Sequence, residues 1–455
     1  MGEFNVDDRL ALDRDVARAV AALARWRREV AADPDVERVD PFGGLRHVAG
    51  KSTWEALGAL AVSPADEPLR TGLRRWVAAL LQARLEAPDD IAVAREETAP
   101  RSNLDVEEGG ETSWRGAWRG VVQSRTTAGA RRWLAAAAEM ATPIADVRRA
   151  RTERRDEVAR RLGFSHPWDA AVPPGVSGQL AKSARRYLDA TDDVWRVVRR
   201  ESLRGVDRPD AADVLHAAVA RAAGDGWPAR LTARWLSDLF GGLAGGMRID
   251  VPPLPAPLGA SSFARALQSF GYAVRVAAAP RAAPFAVRSD PAFVGAHRFA
   301  FLFGSLAANV DFHRRALGLG EASAGAQCRV LARTALVAAR LDAARIVLGS
   351  SDVQPPRDVF DEMGERLFGS PLEARMRGAW PAVRDDEPAR WVARLQTADE
   401  ARAMRESFDT DWFRNPKAWR HLVGQAAAPA YETLPDGCLD TGPDALAHAF
   451  EEALG

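Results

Sequence analysis

The sequence predicts an all-α protein. Apolar residues recur every three to four positions through most of its 455 residues, the spacing that lines one face of a helix. These periodic runs stop at helix-ending clusters such as Asp33-Pro34-Asp35 and Ala87-Pro88-Asp89. The stretches closest to strands are unsuited to pairing. Residues 37–41 make a poor buried strand, and residues 248–257 carry prolines that cannot donate to a sheet ladder.

Taken in order, residues 10–32 alternate apolar and charged side chains at helical period, giving an amphipathic surface helix. A turn-rich link at 40–51 precedes helices at 53–62 and 66–86. Gly44 to Thr53 resembles a phosphate-binding loop with one residue too many and without a buried strand before it, so it reads as a helix start capped by Ser52. Residues 94–112 are polar and acidic, which marks an exposed connector and divides residues 1–110, a helical lid-like region, from 111–455. Trp114 and Trp118 stand one turn apart, and a further helix spans 128–141. In 147–168 arginines interleave with Glu153, Asp156 and Glu157, the pattern of a solvated, salt-bridged face rather than a nucleic-acid surface. Gly163 suits the residue just past a helix end, with Phe164 folding back. Further helices are expected at 183–203, 210–223, 231–243, 322–348, 359–379 and 391–406. Gly241 to Gly246 reads as a hinge or turn.

Composition limits the function. Lys+Arg 62 against Asp+Glu 62 argues against a generic nucleic-acid or anionic-membrane binder. Two distant cysteines, Cys328 and Cys438, do not make a disulfide framework and fit a reducing compartment, so the expectation is a cytoplasmic protein with no membrane partner. Three groupings have metal-like spacing: Asp213 with His216, His448 with Glu451 and Glu452, and the spread set His297, Arg298, Asp311 and His313. Each lacks a converging third donor or an enclosed face, and none is assigned a metal or cofactor.

The stretch at 260–277 carries two stripes: Phe263, Leu267, Phe270 and Val274 on one, Ser261, Arg265, Gln268 and Tyr272 on the other. It resembles the active helix of the gluzincin metallopeptidases related to oligoendopeptidase F, thimet oligopeptidase and angiotensin-converting enzyme, whose pattern runs His-Glu-Phe-Gly-His-Ala-Leu. Ser261-Ser262-Phe263-Ala264-Arg265-Ala266-Leu267 is set against it. That family's third zinc ligand is a Glu within Pro-x-Phe-x-Glu-Ala on the next helix, and Asp290 to His297 matches with Gly295 in the Glu place. Two further pieces resemble the family: Arg155, Asp156, Ala159, Leu162, Gly163, Phe164 and Trp168 in one segment, and Asp411-Trp412-Phe413-Arg414-Asn415-Pro416 in the other, where Asn415-Pro416 turns the chain into a helix anchored by Trp412 and Phe413.

The resemblance implies an oligopeptidase-like helical fold around a central cleft, with its β-strand insertion reduced to the proline-rich bridge and active-site helices at 261–276 and 291–318. It also implies a degenerate centre. Zinc needs fixed N or O donors, a guanidinium repels it, and Ser262 cannot replace the carboxylate base. The expectation is therefore a catalytically inactive homologue. Ser261, Ser262, Arg265, Tyr272 and Gly295 would line its former active-site cleft, which would take a peptide, a small carboxylate ligand or a protein partner. Two alternatives stand beside it. One is a metal-independent or pathway-specific enzyme reusing the cleft through Ser262 or Tyr272; the other is an active zinc peptidase with ligands outside this register.

Overall fold

A computed structural model describes the chain apart from residues 1–5, 36–39, 102–110, 125, 171, 173, 174, 220–226, 228–230, 242–246, 252, 255–257, 259, 351–353 and 429–436. The hinge expected at 241–246 thus falls almost wholly outside the described residues. Those residues form eighteen α-helices with short 3-10 turns and no β-strand; the only β-type pairing among them is the bridge between Arg101 and Thr112.

The N-terminal layer consists of α1 (Val6–Ala32), α2 (Lys51–Ala59) and α3 (Glu67–Thr98). Its apolar faces meet in a core of Val16, Trp26, Phe42, Leu57, Leu73 and Trp76. Two sequence expectations fail here. Gly50, not Ser52, stands at the start of α2, and no side chain caps it. Helix α3 does not end at 87–89 but runs through Pro88 to Thr98. An interior proline costs roughly 3 kcal/mol by removing a hydrogen bond and crowding the preceding turn. The residues flanking it, Glu86 and Asp90, are held from outside the helix by arginines of α6.

Helices α4 (Trp114–Gln123), α5 (Thr127–Glu139), α6 (Ala141–Arg161), α7 (Ser177–Ser202) and α8 (Ala211–Val219) follow. Ser113 and Thr126 cap α4 and α5 by accepting from the backbone N–H groups of Gly116 and Gly129 at 3.2 and 3.0 Å. Helix α6 ends as expected. Gly163 takes φ +75°, its N–H donates to Arg160 O, and the Phe164 N–H reaches back to Ala159 O. The arginine face of α6 is salt-bridged but not solvated throughout. Arg148, Arg151 and Arg155, at i, i+3 and i+7, turn inward onto Glu97, Asp90 and Glu86 of α3 and onto Asp385. Arg149, Arg154 and Arg161 keep to the solvent side.

The remainder comprises α9 (Ala233–Gly241), α10 (Ala260–Ala278), α11 (Phe285–Arg288), α12 (Val294–Ser305), α13 (Val310–Arg315), α14 (Glu321–Gly349), α15 (Arg357–Phe368), α16 (Glu387–Phe408), α17 (Pro416–Ala426) and α18 (Cys438–Leu454). The single helix expected over 291–318 is two. A 3-10 turn at Leu306–Ala308 ends the first, and Asn309 starts the second by accepting from the Phe312 N–H at 2.9 Å. Between Met247 and Leu254 the described residues are irregular, as the prolines require.

Two cores fill this part. One gathers α4 to α8 with α14, α15, α16 and α18; the other, rich in Phe and Trp, gathers α9, α10, α12, α13 and α17. Trp412 and Phe413 are buried in the second, and Asn415 caps α17 by accepting from the Lys417 N–H at 2.9 Å.

Candidate functional site: the seam between helices 260–278 and 294–305

Helix α10 buries Phe263, Leu267, Phe270 and Val274, the expected apolar stripe. Its neighbouring face lies on α12. Arg275 sits beside Gly295, Gly271 against Phe299, and Gln268 against Gly304, so the helices run antiparallel. Contact is closest at Gly271. A Cβ there would stand 2.9 Å from the Phe299 carbonyl carbon and nearer still to its oxygen, so only glycine lets the backbones meet.

This pairing sorts the expected site residues into two groups. Tyr272 and Gly295 belong to the end where α12 begins; the Tyr272 ring is 6.2 Å from Phe293 and 5.7 Å from His297. Arg265 precedes Arg275 by ten residues, about 15 Å of helix, and lines a cavity at the other end. Ser262 is half-buried in the first turn of α10, and the side chain of Ser261 lies outside the described residues. The guanidinium beside Gly295 is therefore that of Arg275, whose Nε would be 3.2 Å from a Cβ added there, and not that of Arg265.

The physical reason is the helical repeat. Seven residues are almost two full turns, so an apolar frame at Phe263, Ala266 and Leu267 returns as Phe270, Ala273 and Val274. In the later frame Gln268-Ser269-Phe270-Gly271-Tyr272-Ala273-Val274 lies against the start of α12, and Gly271 coincides with the pattern's glycine. Composition at helical spacing does not separate the two frames. The backbone approach at Gly271 does.

Around Tyr272 the charges are organised. Asp290 is buried and accepts from the Ala292 and Val294 N–H groups at 3.0 and 3.3 Å, which fixes the entry to α12. Burial pushes its carboxyl up while Arg75, the two N–H groups and Arg275 pull it down, and burial prevails. Burial, with the nearby charges of Asp290 and Asp386, pushes the Tyr272 hydroxyl well above its ordinary value, so it stays protonated. His297, expected from sequence to diverge, instead converges here: its Nε2 is 3.3 Å from Asp386 Oδ2. Burial opposes ionisation of Asp386, and the contact with His297 overcomes it and holds the carboxyl below its usual range. Arg275 and Asp386 carried no sequence signal of their own; Asp386 comes from the start of α16, some ninety positions along the chain from His297.

No protein-family model matches the sequence, and no curated protein matches it. Solved structures do. A candidate peptidase from Chlamydophila abortus superposes over 97% of this chain and 91% of its own, with a TM-score of 0.58 at 12% identity. A candidate oligoendopeptidase F from Bacillus anthracis str. Ames gives 0.54 at 13% identity over 91% of this chain and 86% of its own. Oligoendopeptidase-F from Enterococcus faecium gives 0.51 at 9% identity over 99% of each. The fold is that of the oligoendopeptidase F group.

The oligopeptidase fold raises the question of zinc, and the side chains present do not fit it. Where the family pattern sets two imidazoles and a carboxylate, the α10–α12 seam offers the Gln268 amide, a phenol kept protonated, a glycine and the Arg275 guanidinium. Among the described residues no group of three His, Cys, Asp or Glu is arranged to hold a metal ion. None of the described helices is long and apolar enough to cross a membrane.

At the far end of the seam, a cavity of about 530 Å³ opens between α10, α12, α14, α16 and α18. Gln268 and Gly304 are on its wall and Arg265 is on its rim, so it is continuous with the α10 face read from the sequence. Its size is within the range of small-molecule sites.

Proposed function

We propose that this chain is a non-hydrolysing member of the oligopeptidase fold whose interior serves as a binding site for a peptide, a small carboxylate or a protein partner. The observation that carries this reading is the guanidinium of Arg275 against Gly295, where the family pattern calls for a carboxylate that binds zinc. A permanent cation at that point repels a dication, and Ser269 stands where the pattern has its glutamate base. The test is elemental analysis of the purified chain together with cleavage assays on a quenched fluorescent peptide library, before and after zinc addition. Substoichiometric zinc and no zinc-stimulated cleavage are expected. Stoichiometric zinc accompanied by hydrolysis would remove the reading.

A second reading, a metal-independent enzyme, draws support from Tyr272 beside the His297–Asp386 pair. A phenol kept protonated next to an imidazole oriented by a carboxylate is a general-acid arrangement. On this reading turnover of a substrate is abolished by Tyr272→Phe with the fold intact. On the first, Tyr272→Phe leaves ligand binding at the other end of the seam unchanged.

A further inference from the structure

The cavity at the Arg265 end combines an apolar body with charged side chains of both signs. Phe301, Leu331 and Trp412 are buried residues that line it, together with Phe450 of α18. Three guanidinium groups reach its lining, those of Arg265, Arg394 and Arg405. They are not equivalent. Arg394 is held by Asp342 at 2.5 Å and lies 4.2 Å over the Phe301 ring, so it forms part of the wall. Asp342 also pairs with Arg345 at 2.9 Å and Arg390 at 4.0 Å, behind the cavity lining. Arg405 faces Glu452 at 3.8 Å in an exposed pair, and Asp311 is the other acid on the lining. Arg265 has neither an ion pair nor a hydrogen bond among the described residues.

We infer that this cavity is a binding site for a carboxylate carried on an apolar body of one or two side chains in size. The carboxylate pairs with Arg265 and the body lies on Phe301 and Trp412. A planar guanidinium takes a carboxylate through two parallel hydrogen bonds, and with Arg394 and Arg405 each set against an acid, Arg265 is the lining cation left to receive one. The inference deepens the binding half of the function proposed above and rests on it. It does not rest on the loss of hydrolysis.

Two sources share this chemistry, the free C-terminus of a short apolar peptide and a simple aryl or alkyl acid. The experiment is calorimetry of the full chain with N-acetyl-Leu-Phe and with 6-phenylhexanoate, each paired with its primary amide. Both are titrated into the wild-type protein and into the Arg265→Gln, Arg265→Lys and Ala335→Phe variants; Ala335 lines the cavity, and a phenyl group there takes up space the ligand's apolar body needs. At least one acid is expected to bind, about tenfold or more tighter than its amide, with that preference lost in Arg265→Gln and partly restored in Arg265→Lys. Ala335→Phe should block acid and amide alike without lowering the melting temperature of the unliganded chain. The acid that binds tighter identifies the source. Equal affinity for acid and amide, affinity unchanged in Arg265→Gln, or no binding of either acid at millimolar concentration would each overturn the site. A chain that hydrolyses peptides yet shows the Arg265-dependent preference retains the site and loses only the pseudoenzyme reading.

Discussion

Glu86 accepts both arms of Arg155, at 2.9 and 2.7 Å, and this bidentate pair ties α3 to α6 directly beside Pro88. Asp385 joins the same guanidinium at 2.7 Å, so one side chain connects the N-terminal layer, the central helices and the approach to α16. Burial opposes ionisation of Asp385, but Arg155, Arg151 and Arg27 outweigh it and hold the carboxyl well below its usual range. Removing one partner strands buried charge on the others. Arg155→Ala is therefore expected to destabilise the protein by about 3–5 kcal/mol in urea denaturation. Arg149→Ala, on the solvent side of the same helix, should stay within about 0.5 kcal/mol of wild type.

The glycines of the α10–α12 seam should respond unequally. Gly271→Ala drives a methyl group into the Phe299 peptide, a neighbour that cannot rotate away, and overpacking of this kind costs roughly 1–3 kcal/mol. At Gly304 the closest atom is Gln268 Cγ, 2.7 Å from the added carbon, and a flexible side chain can move. Gly304→Ala should therefore be the milder change in the same thermal melts. Equal losses would mean that the seam does not pack as described.

The helices themselves were readable because their causes are local. Ser113 and Asn415 sit where caps belong, and Gly163 with Phe164 closes α6 through two short-range hydrogen bonds. What sequence did not supply was long-range. Pro88 looked like a stop because the arginines that hold its flanks are some sixty positions away. The inward turn of Arg151 and Arg155 depends on Asp385, more than two hundred positions on, which no charge pattern within α6 reveals. The candidate site divides in the same way. Two polar and apolar stripes on α10 were legible from periodicity, but which turn of the helix meets α12 was not, because the frame repeats every seven residues. His297 looked isolated because its partner, Asp386, belongs to another element.

Asp13 of α1 provides a test of how the N-terminal layer supports the site. Its buried carboxylate accepts from the Phe285 and Ala286 N–H groups at 2.8 and 2.7 Å, and Trp76 of α3 donates to Ser289 O at 2.8 Å. These contacts fix the segment that leads into Asp290 and α12. Asp13→Ala leaves two N–H groups at the start of α11 without that acceptor and should cost about 1–3 kcal/mol. The expected signature is local: faster amide hydrogen exchange across residues 285–294, with little change in α14.

Glu387 gives the stability of this protein an unusual pH dependence. It is buried at the first position of α16, with its nearest guanidinium groups, those of Arg384 and Arg345, at 3.7 and 3.8 Å. Asp342 has closer partners, Arg394 at 2.5 Å and Arg345 at 2.9 Å. Two neighbouring buried carboxyls compete for this positive charge, and the one with the shorter bonds keeps its ionised form. Burial first, then the charge of Asp342, pushes Glu387 up to about 8, whereas Asp342 is held far below the usual carboxylate range. The sign follows from proton counting. Between the unfolded value near 4.5 and the folded value near 8, the folded state holds a proton that the unfolded state has released, so stability falls as pH rises through this window. The loss is on the order of a few kcal/mol. Glu387→Gln copies the protonated form and cannot ionise. It should match wild type within about 1 kcal/mol at pH 5, and by pH 9 it should be the more stable of the two in guanidinium titrations. If the two proteins keep a constant difference across that range, Glu387 does not carry the proton assigned to it.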